Sequence, residues 1–412
     1  MFLKSLSLHN FRCLANVQVP FDKAGPGNRK WTLILGENGA GKSNVLKSIA
    51  LVTAGSSALG ELIGNPDQWI RFGQKACTIS VVLETKKGEE REVSLKIKKG
   101  QHLSDIFREN AETLRMIDDA IANASRNYFV VGYGASRSLV TEGFGAKSNR
   151  SANVGNLFNN SFPLNPLANW IMELDYKEGK AGLEIVKSAL DEFLPGAAFH
   201  SIDKRKKQVV FETPDGLIPL EHLSDGYQNM ASWIGDILFR VTDSFRDYNK
   251  PLEARGLLLI DEIDLHLHPK WQRRLLDFID KKLPNFQVVA TTHSPLTAQQ
   301  AGEGELFALK RNAKQGIQVV PFVGSPKKLL VNQLLMTPVF GLETDESLVV
   351  QQKKEEYRQL KDKGAAIKPN EKRKMAQIKS ELSEIVPSRD VAVLSEREVE
   401  LLDRLSKTLQ IN

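Results

Sequence analysis

The stretch Gly36-Glu37-Asn38-Gly39-Ala40-Gly41-Lys42-Ser43 constrains this chain more than any other part of it, because it stands between an apolar run and a helical pattern. Trp31-Thr32-Leu33-Ile34-Leu35 before it reads as a buried strand, and Val45, Leu46, Ile49, Ala50 and Leu51 after it recur at helical spacing. A strand, a glycine-rich turn and a helix in this order make a phosphate-binding loop. The glycines let successive backbone N–H groups turn inward, and the helix adds the positive end of its dipole. Gly36, Asn38, Gly39 and Gly41 shape the loop, Lys42 is placed to reach the outer phosphates of a nucleotide, and Ser43 to hold magnesium. The chain is therefore expected to be α/β, with a P-loop nucleotide site.

Two further apolar runs end in chemistry. Leu257-Leu258-Leu259-Ile260 closes on Asp261-Glu262, and Val288-Val289-Ala290-Thr291 closes on Thr292-His293. The amphipathic pattern Lys270 to Lys282 lies between them, and strand, helix, strand implies a parallel sheet whose carboxyl edge carries these residues. There Asp261 would reach magnesium, Glu262 would orient or deprotonate the attacking water, and His293 would donate to the γ-phosphate. Each run alone has an ordinary reading, a strand closed by solvated polar residues; the phosphate loop gives them a shared one. Leu223-Ser224-Asp225-Gly226-Tyr227-Gln228 opens a helix through Ala231, Ile234 and Leu238, for which capping by Ser224 or Asp225 is the ordinary explanation.

Taken in order, the phosphate loop, the serine-glycine turn, the acid pair and the histidine resemble the ATP-binding-cassette (ABC) ATPases, in the soluble branch with SMC, RecF, OLD and PtuA-like proteins. Asp261-Glu262-Ile263-Asp264-Leu265-His266-Leu267-His268-Pro269 and Thr291-Thr292-His293-Ser294-Pro295 are similar to the OLD, RecF and PtuA-like members rather than to transporters. The resemblance implies the ABC head fold, a mixed or parallel sheet with flanking helices, here with a helical insertion and a helical C-terminal extension. It implies ATP and Mg²⁺ as ligands, a catalytic set of Glu262, His293 and Lys42, and metal contacts from Ser43 and Asp261. Arg12 and Asn44 join the nucleotide contacts. The family's Leu-Ser-Gly-Gly-Gln signature appears in the departed form Leu223-Ser224-Asp225-Gly226-Tyr227. In the family this turn closes on the ATP of the opposite protomer, so Ser224 and Gly226 are expected to complete a partner's site in a homodimer or larger homo-oligomer. Asp264 falls near the loop that meets that protomer. The family's magnesium-contacting glutamine has no plain counterpart, and both Gln74 and the segment Tyr133 to Arg137 stand open for it. His266 and His268 have the spacing of a metal pair, yet by the resemblance they lead into a helix.

The expected organisation is an N-terminal lobe with the phosphate loop (1–100), a helical insertion (101–220), a lobe with signature, acids and histidine (221–325), and a helical assembly region (326–412). Residues Thr141 to Ser161, rich in Gly, Asn and Ser, are expected to form a mobile loop. At 412 residues with 41% hydrophobic and 26% charged, the composition is that of a soluble globular protein of more than one domain. Cys13 and Cys77 lack metal-ligand spacing, and no apolar run approaches the roughly 20 residues of a membrane helix, so a cytoplasmic location is expected. The net charge of +6 permits nucleic acid, with Lys204 to Lys207 and the Lys353 to Lys379 region as basic clusters. The second cluster also reads as a solvated helix surface paired with Glu355, Glu356 and Glu371. Leu348 to Leu360 and Leu394 to Leu409 carry apolar residues at helical spacing and suit an assembly surface. This tail resembles that of PtuA-like ATPases from bacterial antiphage systems, and beyond Pro326 there is no acid cluster of a Toprim nuclease. The resemblance thus implies an ATPase that regulates or scaffolds a separate nuclease or toxin effector. The other reading is a RecF- or SMC-like DNA-binding ATPase of repair or recombination.

Overall fold

The computed structural model describes residues 2–22, 29–85, 88–124, 126–137, 149–194, 196–248, 250–312, 316–364 and 367–384. They fall into two compact units, one running to Leu342 and one from Glu343.

At the centre of the first unit the strands Val130–Tyr133, Gly256–Ile260, Phe286–Thr291, Trp31–Gly36 and Leu306–Asn312 lie side by side and parallel, and Gly316–Pro321 closes one edge antiparallel. The continuous apolar runs have a direct cause: successive side chains point to opposite faces, and both faces are covered. Leu257, Leu259, Ile34 and Val289 pack on the side of the helix Lys42–Val52. Leu258, Ile260, Leu33, Val288 and Ala290 pack on the other side, with apolar residues of the helices Leu167–Phe193, Asp225–Ser244 and Leu275–Lys282. Parallel register sets Thr291 opposite Ile34 and Ala290 opposite Ile260, so the phosphate loop, Asp261 and His293 leave the sheet at one edge.

A four-stranded antiparallel sheet, in spatial order Leu14–Pro20, Phe2–Phe11, Ala76–Glu84 and Glu90–Lys98, covers the first face. Buried Gln287 ties the two sheets together, accepting from Leu3 N at 2.7 Å and donating to Leu3 O at 2.9 Å. A three-stranded sheet, Ala198–Asp203, Gln208–Thr213 and Gly216–Pro219, follows the helical segment Leu167–Phe193, which is broken by a kink at Gly179. Among the described residues no helix is long and apolar enough to cross a membrane.

One expectation needs correction. Of the segment Thr141 to Ser161, residues 141–148 lie outside the described residues, but Arg150–Phe158 is a largely buried helix rather than a loop. Asn149 caps it, accepting from Ala152 N at 2.6 Å, and Val154 and Leu157 enter the core. Its asparagines look like loop composition but serve as internal hydrogen-bonding groups. Asn156 accepts from Gly134 N at 2.9 Å and donates to Ser136 O at 2.9 Å, and Asn153 accepts from Arg240 at 2.9 Å. The helical pattern at Lys270 to Lys282 divides into Pro269–Gln272 and Leu275–Lys282, and the strands Leu306–Asn312 and Gly316–Pro321 have no counterpart in the sequence reading.

In the second unit, the helices Leu348–Asp362 and Pro369–Glu384 are joined by ion pairs Lys353–Glu381 at 2.7 Å, Lys363–Glu371 at 2.6 Å and Lys374–Glu356. Part of the basic cluster is thus matched within the unit, as expected of a solvated helix surface. The apolar pattern at Leu394 to Leu409 lies outside the described residues.

Candidate functional site

The phosphate loop is built on backbone conformations that favour glycine. Gly36, Gly39 and Gly41 have φ of 153°, 78° and 93°. At Gly36 a Cβ would lie 2.8 Å from Leu309 O, and at Gly41 it would lie 2.8 Å from both Cys13 Sγ and Leu14 Cδ2, whereas at Gly39 the space is open. The loop closes on itself through Ala40 N to Glu37 O at 3.1 Å. Among the described residues no protein acceptor meets the N–H groups of Gly39, Gly41, Lys42 or Ser43. Four unsatisfied donors at the start of an eleven-residue helix fit a phosphate chain. Lys42, only 7% exposed, donates to Gly36 O at 2.8 Å and Glu37 O at 3.1 Å. Burial lowers its pKa, and the nearby charges of Asp261 and Glu262 oppose that shift. Arg12 lies beside the loop, donating to Asn44 Oδ1 at 3.1 Å with its guanidinium 4.1 Å over the Trp69 ring.

The acid pair follows the strand Gly256–Ile260 directly. Asp261 is 8% exposed; Thr291 donates to its Oδ1 at 2.6 Å, which leaves Oδ2 without a protein partner among the described residues. That oxygen and the partly exposed Ser43 hydroxyl are hard oxygen donors of the chemistry magnesium takes. Glu262 has a φ of 46°, a left-handed conformation uncommon for a residue with a side chain. One step further, Thr292 donates to Asp264 Oδ2 at 2.6 Å, and His293 stands exposed past the strand end.

The turn expected to act as signature opens the helix Asp225–Ser244. Ser224 occupies the N-cap position but its hydroxyl makes no capping bond, and it is exposed. Gln228 holds the turn by donating to Glu221 O at 3.0 Å and Leu223 O at 2.7 Å. The turn's neighbours come from the segment after Glu262: a Cβ on Gly226 would lie 3.0 Å from His266 O, and the Tyr227 ring meets that of Trp271 edge-on at 4.8 Å. His268 accepts from Lys270 N at 3.3 Å, so it caps a helix. The structure therefore brings Lys42, Asp261 and Glu262 together, while Gly226 and Tyr227 meet the segment that carries His266 and Trp271.

Gln74 is exposed and accepts from Asn10 at 3.4 Å. Arg137, from the other segment left open by the sequence, is 1% exposed and donates to the carbonyls of Asp261 at 3.1 Å and Glu262 at 2.8 Å. Burial lowers its pKa to about 10, against the pull of Asp261, Asp264 and Glu262, so it stays charged at neutral pH. Sequence reasoning assigned no role to Thr291 and Thr292. The available signal was two adjacent hydroxyl residues closing an otherwise apolar strand.

The chain is similar to several known proteins. An AAA domain family model matches residues 5–153, and one described as "AAA domain, putative AbiEii toxin, Type IV TA system" matches residues 178–298. Over 343 residues the chain is 27% identical to Septu protein PtuA of Bacillus mycoides (strain KBAB4), covering 83% of this chain and 45% of that protein. It is 28% identical over 299 residues to Septu protein PtuA of Bacillus thuringiensis, covering 68% of this chain and 70% of that one. The chain thus spans about half the length of the first relative. Among solved structures, the SMC head bound to the C-winged helix domain of ScpA is 16% identical, with a TM-score of 0.48 over 78% of this chain and 98% of that one.

Proposed function

We propose that this chain, a PtuA-like ATPase of the ABC class, binds Mg²⁺ and ATP between two copies of itself in the cytoplasm, hydrolyses the ATP, and so sets the activity of a separate effector subunit in bacterial antiphage defence. The observation that carries this reading is the convergence, on one sheet edge, of four unpaired loop N–H groups, a buried lysine and two carboxylates. In this reading the loop N–H groups, Arg12 and Asn44 bind the phosphates, and Lys42 exchanges its bonds to Gly36 O and Glu37 O for phosphate oxygens. Ser43 and Asp261 hold magnesium, which when bound neutralises charge on the outer phosphates. Glu262 orients and deprotonates the attacking water, and His293 donates to the γ-phosphate. The exposed Ser224 hydroxyl and the Gly226 turn present a second anion site to a partner protomer, so that ATP favours the closed pair and hydrolysis releases it.

The test is a pair of variants followed by ATP binding and by light scattering of the eluted protein. Glu262→Gln is expected to retain ATP and accumulate the assembled form, and Lys42→Ala to lose nucleotide. Equal ATP affinity in both, with no change in assembly, contradicts the proposal. The four exposed residues of the Lys204 to Lys207 turn favour a second reading, a DNA-binding ATPase of the RecF or SMC kind. Salt-dependent binding of duplex DNA that requires ATP and no other protein is the outcome that selects it.

A further inference from the structure

Glu262 holds a left-handed conformation, φ 46°, which a residue with a side chain keeps only when its surroundings impose it. The surroundings here can be counted bond by bond. Asp261 N donates to Tyr133 O at 2.8 Å, Glu262 N to Thr291 Oγ1 at 2.7 Å, and Ile263 N to Thr291 O at 3.0 Å. The carbonyls of Asp261 and Glu262 accept from the two terminal nitrogens of Arg137. Leu265 N also donates to Glu262 O at 3.0 Å, so Thr291 and Arg137, both buried, provide four of the six backbone bonds that fix this turn among the described residues.

Each residue type suits the task. A threonine hydroxyl has one proton to give and lone pairs to receive with; at 291 the proton goes to Asp261 Oδ1 and a lone pair takes the Glu262 amide. Valine would pack equally well in that strand and do neither. Arginine presents a rigid fork that spans two carbonyls, which a lysine ammonium cannot reproduce. Among the described residues the Arg137 Nε has no partner, and the guanidinium carbon lies 5.9 Å from the Trp233 ring centroid. A buried cation is costly in the interior, so its spending both terminal nitrogens on these two carbonyls argues that their position matters.

We propose that Thr291 and Arg137 are positioning residues that lock the backbone of Glu262 and thereby place its carboxylate for ATP hydrolysis, an inference that rests on the nucleotide reading above. Neither touches the reacting atoms; both act on the rate through Glu262, and Thr291 also holds Asp261 Oδ1.

The experiment measures kcat, KM, ATP-analogue affinity and thermal stability on the full chain. Thr291→Val is expected to lower kcat roughly 10- to 100-fold, the scale of a small misplacement of a catalytic group, while affinity for MgATP changes less than about 3-fold. Thr291→Ser keeps the hydroxyl and restores most of the rate, and Arg137→Lys shows the same loss of kcat without loss of affinity. Because the effect passes through Glu262, adding Thr291→Val to Glu262→Gln costs nothing further. Wild-type kcat in Thr291→Val, equal losses in the Ser and Val variants, or full additivity with Glu262→Gln overturns the proposal. Amide exchange across Asp261 to Ile263 supplies a readout independent of hydrolysis: faster exchange in Thr291→Val supports the lock, and unchanged exchange overturns it. Failure of the nucleotide reading shows elsewhere, as ATP binding by Lys42→Ala equal to wild type.

Discussion

Removing the carboxylate of Asp236 tests the buried polar network under the site. Asp236 lies on the helix that the Ser224 turn opens, is 0% exposed, and accepts three bonds: from Tyr133 OH at 2.8 Å, Asn165 N at 2.8 Å and Arg240 Nε at 2.6 Å. Arg240 is itself 1% exposed and also bonds Asn153 Oδ1, at 2.9 Å, and the Tyr133 side chain. Asp236→Ala strips all three donors and leaves a buried guanidinium without its counter-ion. Breaking a buried pair from one side costs about 3–5 kcal/mol. For a unit of this size 1 kcal/mol corresponds to about 1.4 °C in Tm, so the transition should fall by about 4–7 °C. Asp236→Asn should lose nearly as much, because an amide facing Arg240 Nε cannot replace a carboxylate that accepts on both oxygens. The double variant Asp236→Leu with Arg240→Met, which removes both charges, should recover much of the loss. Thermal unfolding followed by circular dichroism without nucleotide is the assay. A Tm for Asp236→Ala within about 2 °C of wild type, or a double variant less stable than the single by the sum of separate effects, refutes the reasoning.

Two further outcomes follow from the geometry. Gly41→Ala meets both a left-handed φ of 93° and contacts at 2.8 Å, whereas Gly39→Ala meets only a φ of 78°. The first should lose about 2–5 kcal/mol and the second about 1–2 kcal/mol in urea unfolding, and equal losses would show that the crowding at Gly41 is relieved freely. Burial, then the neighbouring Asp236, hold the Tyr133 phenol well above its usual value. With the folded pKa raised, its contribution is complete below the unfolded pKa near 10 and is lost as pH rises through it, at about 1.4 kcal/mol per pH unit. Tyr133→Phe should therefore show a shallower alkaline decline than wild type by that slope between about pH 10 and 11; matching slopes contradict the assignment.

Much of the nucleotide edge is legible in the sequence because its signals are local. Gly36, Gly39 and Gly41 are demanded by backbone angles within eight residues, and the runs at Leu33, Leu258 and Val288 announce strands buried on both faces. The same local logic fails where polar residues face inward. The asparagines of Arg150–Phe158 read as loop, yet Asn153 and Asn156 reach partners on other elements, Arg240 and Gly134.

The sequence by itself determined that an apolar strand leads into a phosphate loop, that two acids and a histidine end neighbouring strands, and that the chain forms an α/β P-loop fold. Only the tertiary structure decided which groups hold those ends. Arg137 meets Asp261 and Glu262 more than a hundred positions away, and Thr291 meets them from the next strand. Periodicity encodes which face a residue occupies, but a hydrogen bond between distant positions depends on sheet order and register. Neither is written in the spacing of one segment.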